Sequence, residues 1–597
     1  KQEIITMYLN TVDFGMNSYG VKTAARTFFN TSPDSLKIEE AAMLVGMLKA
    51  TSAYNALRNY NKAFERRNVV LKQMTKYRLL SKEQLAEISQ KPIALNFRQQ
   101  NTPNGVPDYY NKELTEQLEL WGDEQDKDIY SDGLKIYLAI DSRYQAHAND
   151  AVREHAQELQ KKFDSHWHNQ NPWVDEDNHE IPGFIERIMT REPIYKGLMA
   201  KYKQDTALVN KALNTPKKMV IFDWKKPEGD TVELSSYDSL RHYKRLLHSG
   251  MMVMDPKTGH IKAWVGGVDY KFFQYDHVKQ SRRQPGSTFK AFAYAAAIDQ
   301  GYSPCFKIQD KWIDIEYDED SAGVKLHKHW KPGNANGNFS GMNMTLRHGM
   351  GRSINTIAAQ LTMMVGPKKV MEYAIKLGID SNYLKPLPSI ALGPYDVNLF
   401  EMVGAYSTFL NEGVWQEPLL ITRIEDRKGK IIKEFTPKMR KAMSKEAAWL
   451  MVYMLKGTLQ EPQGTAQGLF SFNIFRGNEL AGKTGTSQNN SDGWFMGLSK
   501  DLVAGVWTGA DERAVHFRNL RMGEGSKTAL PVYGKFMERI YADKSLGITM
   551  GYFPKLSEPI KRKYICPTIY PKKDTAKVDS TSAPDSSGAT TPVSIDG

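Results

Sequence analysis

The stretch SRRQPGSTFKAFAYAAAIDQG, residues 281–301, sets Ser287 and Lys290 three positions apart, immediately after Pro285 and Gly286. Pro-Gly marks a turn, and the apolar run that follows predicts a helix opening at the pair. Residues three apart share one helix face, so both side chains would point into one pocket. The unpaired backbone N–H groups of such an N-terminus can stabilise negative charge that develops on a bound carbonyl. Taken alone, the pair reads first as a capping serine followed by an exposed lysine, because a chain this long holds about one or two Ser-x-x-Lys matches by composition.

Two further elements change that reading. Ser353-Ile354-Asn355 opens an apolar-periodic segment, and Lys483-Thr484-Gly485-Thr486 sits on a strand-like run ahead of the aromatic GWF. Each is ordinary by itself, a cap and a turn. In this order, Ser-x-x-Lys, Ser-x-Asn and Lys-Thr-Gly form the set used by serine acyltransferases. A serine hydroxyl is a poor nucleophile until a base takes its proton, and Lys290 can act as that base only when neutral. Burial and the positive charge of Lys483 would both lower its pKa. Ser353 can relay a proton towards a leaving amine, and Asn355 can hold a substrate amide. Gly485, without a Cβ, would let a substrate backbone lie against the strand. The hydroxyls of Thr484 and Thr486, with Lys483, suit a terminal carboxylate.

Around these motifs the pattern predicts an α+β domain over residues 246–545. MMVMDPKTGHIKAWVGG, residues 251–267, reads as a hairpin about Pro256–Gly259, and residues 340–410 read as mostly helical. LAGKTGTS, GWFMGLS and LVAGVWTGAD, between 480 and 511, read as an antiparallel meander. Hairpin, helices and meander together imply an antiparallel sheet flanked by helices. Residues 1–95 read as all-helical, with Ile38, Ala41, Ala42, Val45 and Leu48 as one amphipathic face. Residues 96–245 read as a linker plus a helical insertion, apart from the strand-like LKIYLAID at 134–141. Residues 546–597 form a C-terminal extension whose sequence beyond about 571 has no apolar face and predicts disorder.

At 597 residues the chain exceeds one hydrophobic core, and 41% hydrophobic with 25% charged residues is a globular composition. The net charge of +12 comes from basic residues scattered among acidic ones, with no nucleic-acid motif, so no nucleic-acid partner is expected. No run of 18 or more apolar residues occurs. Cys305 and Cys566, the only two cysteines, suggest neither a disulfide framework nor a zinc site, and Cys305 reads as a small buried apolar residue. His166-Trp167-His168, with DEDNHE nearby, lacks a specified third ligand and reads as solvated surface, so no metal site is expected.

With these residues in hand, the chain resembles the bifunctional class A penicillin-binding proteins. HWKPGNANGNFSGMNMTLRHGMGRSIN, ALGPYDVNLFEMVGAYSTFLNEG and DGWFMGLSKDLVAGVWTGAD are similar to that family's runs around its three motifs. KQEIITMYLN, FGMNSYGVKTAARTFF and ERRNVVL resemble its lysozyme-like glycosyltransferase domain, with Thr6 where the family often has glutamate. The resemblance implies a penicillin-binding or serine β-lactamase-like transpeptidase fold preceded by an all-helical remnant of the glycosyltransferase domain. It implies Ser287 as the acylated nucleophile and Lys290 as its base, with Ser353, Asn355 and Lys483 completing the proton network. Thr484, Gly485 and Thr486 would bind substrate, and the backbone N–H groups of Ser287 and Thr486 would form the oxyanion hole. His327 and His329 would stand at the rim of the cleft.

The implied partners are stem peptides ending in D-Ala-D-Ala, glycan strands, β-lactams and other cell-wall synthesis proteins. Transpeptidation would need no cofactor, while glycosyl transfer in the full-length parent allows a divalent metal. The family's catalytic glutamates and membrane anchor are expected ahead of Lys1, so glycan polymerisation from lipid II is expected only of the full-length protein. The implied location is the bacterial inner membrane, with the catalytic domains on the periplasmic side. A D,D-carboxypeptidase or β-lactamase differs only in letting water resolve the acyl-enzyme. A catalytically idle cell-wall binding or sensor protein would have no need of all three motifs.

Overall fold

The computed structural model describes residues 1–16, 18–97, 108–130, 132–168, 170–321 and 324–566. The tail expected to be disordered from about 571 lies outside the described residues. Five strands build the central antiparallel sheet: β1 (Leu247–Met254), β2 (Ile261–Val265), β3 (Ala481–Thr486), β4 (Asp492–Leu498) and β5 (Val503–Ala510). Their order is β3-β4-β5-β1-β2, so the hairpin and the meander join edge to edge through β5 and β1.

Strand residues alternate faces, and here both faces are covered. Met251 and Val253 of β1 point into one apolar cluster, Met252 and Met254 into another. The first cluster is closed by α1 (Ser142–Trp167) and the C-terminal helix Leu530–Ala542. The second is closed by α2 (Lys290–Asp299), α3 (Asn355–Val365), α4 (Leu399–Leu410) and α5 (Lys445–Gln460). Every residue of β1, β4 and β5 is buried, as burial on both faces requires.

Several expectations need correction. The helix Ile38–Met47 buries Ala42, Met43, Leu44, Gly46 and Met47, while Ile38 and Val45 are exposed. Ile38 begins the helix, and Val45 lies on its exposed side. Residues 96–245 hold more than linker and helices. A helix spans Asp108–Gln125, and Lys217–Asp223 pairs with Lys226–Leu234 in a hairpin. The strand-like LKIYLAID supplies Lys135–Leu138, which pairs with the distant Ile421–Glu425. Trp167 is not solvated surface: it ends α1 fully buried, and its indole N–H donates to His516 O at 3.0 Å. Cys305 is bonded to Cys566, with Cα atoms 5.2 Å apart. A pairing across 261 residues has no local spacing to announce it. The bridge ties the C-terminal strap beside the end of α2, where Arg562 pairs with Glu446 at 3.0 Å.

Candidate active site

A close approach of two backbones sets the site. Gly286 has φ +52°, and a Cβ there would lie 2.3 Å from Thr486 O, so only glycine brings this turn against β3. A Cβ on Gly485 would fall 2.3 Å from Pro285 O. The space freed by Gly485 is therefore filled by the nucleophile turn itself, which corrects the expectation that it makes room for substrate. Residues Gly286–Phe289 form a 3-10 turn that runs into α2 at Lys290. The Tyr406 hydroxyl, from α4, donates to Thr288 O at 2.6 Å and fixes that turn from behind.

Ser287 is half-buried and lines a cleft of about 980 Å³ together with Ser353, Asn355, Thr484 and Thr486. Lys290 and Lys483 are fully buried beneath it. Lys290 Nζ lies 2.6 Å from Ser353 O, 2.6 Å from Asn355 Oδ1 and 3.2 Å from Ser353 Oγ. Lys483 Nζ donates to Ser353 Oγ at 2.9 Å and to Thr484 O at 2.8 Å. Ser353 itself holds φ +59°, an uncommon conformation for a non-glycine residue, which aims its hydroxyl between the two ammonium groups.

Burial, and then the charge of Lys483, push the Lys290 pKa well below its ordinary value. Burial alone lowers Lys483 to about 7. The two lysines share the Ser353 hydroxyl, and a charge on Lys483 disfavours an ammonium on Lys290. A neutral Lys290 has two N–H donors, which the carbonyls of Ser353 and Asn355 take up. Its lone pair is then left for a hydroxyl proton.

Sequence reasoning passed over the groups that hold this network. Asn334 Oδ1 accepts from the backbone N–H of Asn355 at 3.0 Å, and Asn334 Nδ2 donates to Asp310 Oδ1 at 2.8 Å. Asn355 Nδ2 in turn donates to Gly333 O at 2.7 Å. The Trp330-x-Pro-x-Asn334 run was the available signal, and its purpose is to seat Asn355. The Thr486 hydroxyl accepts from the Gly525 N–H at 3.0 Å, so part of its hydrogen-bonding capacity serves the strand edge. His327 and His329 are exposed on the hairpin that ends at Trp330; His327 lies 3.1 Å from Asp318 and His329 3.2 Å from Asp314. Trp330 and Lys331, rather than the histidines, reach the cleft. His166 is half-buried at the end of α1 and accepts from the Arg518 N–H at 3.2 Å. Among the described residues of 1–95 no three metal-ligating side chains converge.

The penicillin-binding protein transpeptidase domain model matches residues 249–537, the transglycosylase model residues 1–75 and the penicillin-binding protein middle domain model residues 168–247. Penicillin-binding protein 1A of Aquifex aeolicus is 30% identical over 569 residues, covering 91% of this chain and 72% of the relative. The chain belongs to the class A penicillin-binding proteins, of the 1A type. This penicillin-binding protein is also 29% identical over 587 residues to the 1A protein of Rickettsia bellii, covering 91% of this chain and 71% of the relative. The crystal structure of penicillin-binding protein 1A from Haemophilus influenzae superposes with a TM-score of 0.65 at 26% identity, over 94% of this chain and 87% of that one. The penicillin-binding protein is thus a serine-type transpeptidase of peptidoglycan synthesis.

Proposed function

We propose that Ser287 is the acylated nucleophile of this transpeptidase and that Lys290 is its general base. The Ser287 hydroxyl proton passes to neutral Lys290 as Oγ bonds to the carbonyl carbon of the penultimate D-Ala in a stem peptide. The oxyanion is held by the backbone N–H groups of Ser287 and Thr486. As the peptide C–N bond breaks, Ser353 passes a proton from the lysine pair to the departing D-Ala amine. An acceptor amine from a neighbouring stem peptide then attacks the ester, loses its proton through the same relay and releases Ser287. Asn355 holds the donor's amide, and Thr484, Thr486 and Lys483 hold its terminal carboxylate.

The observation that carries this reading is the Ser353 hydroxyl, 2.9 Å from Lys483 Nζ and 3.2 Å from Lys290 Nζ, under a cleft that Ser287 lines. β-Lactams present an amide carbonyl beside a carboxylate and would acylate the same serine. The substrate is peptidoglycan on the periplasmic side of the inner membrane, and the Cys305–Cys566 bridge supports that oxidising compartment. Among the described residues no helix is long and apolar enough to cross a membrane.

The test is a donor stem peptide ending in D-Ala-D-Ala, supplied with and without an acceptor amine. Release of D-Ala with formation of the new amide is expected. Release of D-Ala by hydrolysis alone, whatever the amine concentration, would instead make the chain a carboxypeptidase.

A further inference from the structure

A second cavity, of about 570 Å³, lies where residues 168–247 meet the sheet, and it shares no lining residue with the acylation cleft. Tyr243, Phe272, Phe273 and Tyr275 are among its walls. Three chemistry-bearing side chains reach it: His248 from β1, His277 from the loop after β2, and Asp511 just after β5. The sheet register brings them together, because His248 pairs with Gly509, two residues ahead of Asp511. The two imidazoles are stacked, with ring centroids 5.1 Å apart.

Both histidines are buried, at 1% and 4% exposure, yet both ring nitrogens of His248 and Nδ1 of His277 lack a hydrogen-bond partner. Buried polar atoms are normally satisfied, and three orphaned nitrogens in one place point to an absent binding partner. The face of His277 is accounted for by stacking on Trp507 at 4.7 Å, but its edge is not. His248 Nε2 and Asp511 Oδ1 stand 3.4 Å apart. Two ligands about 2.0–2.1 Å from a tetrahedral ion are separated by about 3.3 Å, so this pair already spans one edge of such a site. One ligand atom from each of the three residues lies within 4.8 Å of the others. Asp511, whose side chain is 39% exposed, can close the remaining gap by side-chain torsion.

Its other carboxylate oxygen, Oδ2, faces Lys244 Nζ at 3.3 Å, which leaves Oδ1 turned towards the histidines. The second nearby cation, Arg283, is engaged with Asp492 at 2.5 Å and with the Asp511 carbonyl at 3.0 Å.

We propose that His248, His277 and Asp511 bind one divalent cation of the zinc type, with a further coordination position open to the cavity. Burial keeps both imidazoles below their ordinary pKa. Neutral imidazole and ionised carboxylate are the forms that ligate zinc without first losing a proton. The ion would join the ends of β1 and β5 to the loop after β2, at the seam with residues 168–247. It has no part in acyl transfer.

The test uses tag-free protein, because a histidine tag would itself bind zinc. After chelator treatment, Zn2+ is returned at micromolar free concentration, and bound metal and unfolding temperature are measured. One ion per chain and a higher unfolding temperature are expected, together with the visible absorption of tetrahedral Co2+ when cobalt replaces zinc. H277A and D511N should each bind roughly tenfold or more weakly while still being labelled by penicillin. The exposed pair substituted as H327A/H329A should bind as the parent does. No bound zinc, or zinc that survives in penicillin-labelled D511N, would overturn the site. So would loss of zinc in H327A/H329A, which would place the ion on the hairpin instead. If H277A fails to fold and is not labelled, D511N decides, since its side chain reaches the surface.

Discussion

Lys483 Nζ donates to Ser353 Oγ at 2.9 Å, and the same hydroxyl lies 3.2 Å from Lys290 Nζ, so it forms the hydrogen-bonded path between the two lysines. Removing the hydroxyl breaks that path and leaves the backbone alone, because alanine tolerates φ +59° no worse than serine. S353A is expected to slow penicillin acylation by about 10²–10⁴-fold, the range of a lost proton-transfer group. The rate of labelling by a fluorescent penicillin checks this, with the unfolding temperature as the control for fold.

The lysine pair fixes a pH profile. A lysine of ordinary pKa is almost wholly protonated at neutral pH, so a rate that depended on it would climb about tenfold per pH unit up to pH ~10. The Lys290 pKa is depressed by burial and then by the charge of Lys483, so the acylation rate should level off well below pH 10. It should fall only on the acid side, as Lys290 gains its proton. Rates measured between pH 5 and 9 decide; a steady tenfold-per-unit rise would assign the proton transfer to an unperturbed group.

Asn334 is 9% exposed and accepts from the N–H groups of Asn355 and Thr356, at 3.0 and 3.3 Å. N334A strands these donors and costs about 1–3 kcal/mol of stability. It should also slow acylation, although Asn334 does not touch the nucleophile. Urea unfolding and penicillin labelling of the same preparation give both numbers.

Gly286 allows the 3-10 turn to press on Thr486, so G286A combines a positive φ with a backbone clash. Acylation should be lost while most of the fold remains, since the clash is confined to one turn. Near-normal labelling of G286A would mean that the turn relaxes freely.

The Cys305–Cys566 bridge closes a separation of 261 residues around most of the transpeptidase domain. Its reduction, or the C305S/C566S pair, should cost about 2–4 kcal/mol. Penicillin labelling below the unfolding transition should persist, because neither cysteine lines the cleft. Comparison of denaturant midpoints with and without reductant measures the effect.

What the sequence disclosed depended on how local each signal was. The strands and α2 were legible because period-two and apolar-helical patterns sit in consecutive residues. The motif order carried the site because Ser287, Ser353 and Lys483 each belong to a short stretch with its own signature. What stayed hidden required distance information. Cys305 and Cys566 look unrelated until the strap returns to α2, and Asn334 looks like a loop residue until α3 is placed above it. His248, His277 and Asp511 are each isolated in the chain and meet only through the register of β1 with β5. Gly485 was misread for the same reason, since its neighbour across the gap, Pro285, is known only after folding.

The most direct test of the account is intact mass over time with penicillin, followed by mapping of the modified peptide. The account predicts one stable penicilloyl adduct per chain, on Ser287 in the peptide around QPGSTFK, and none in S287A. An adduct on any other residue, or labelling of S287A at the parent's rate, would contradict it.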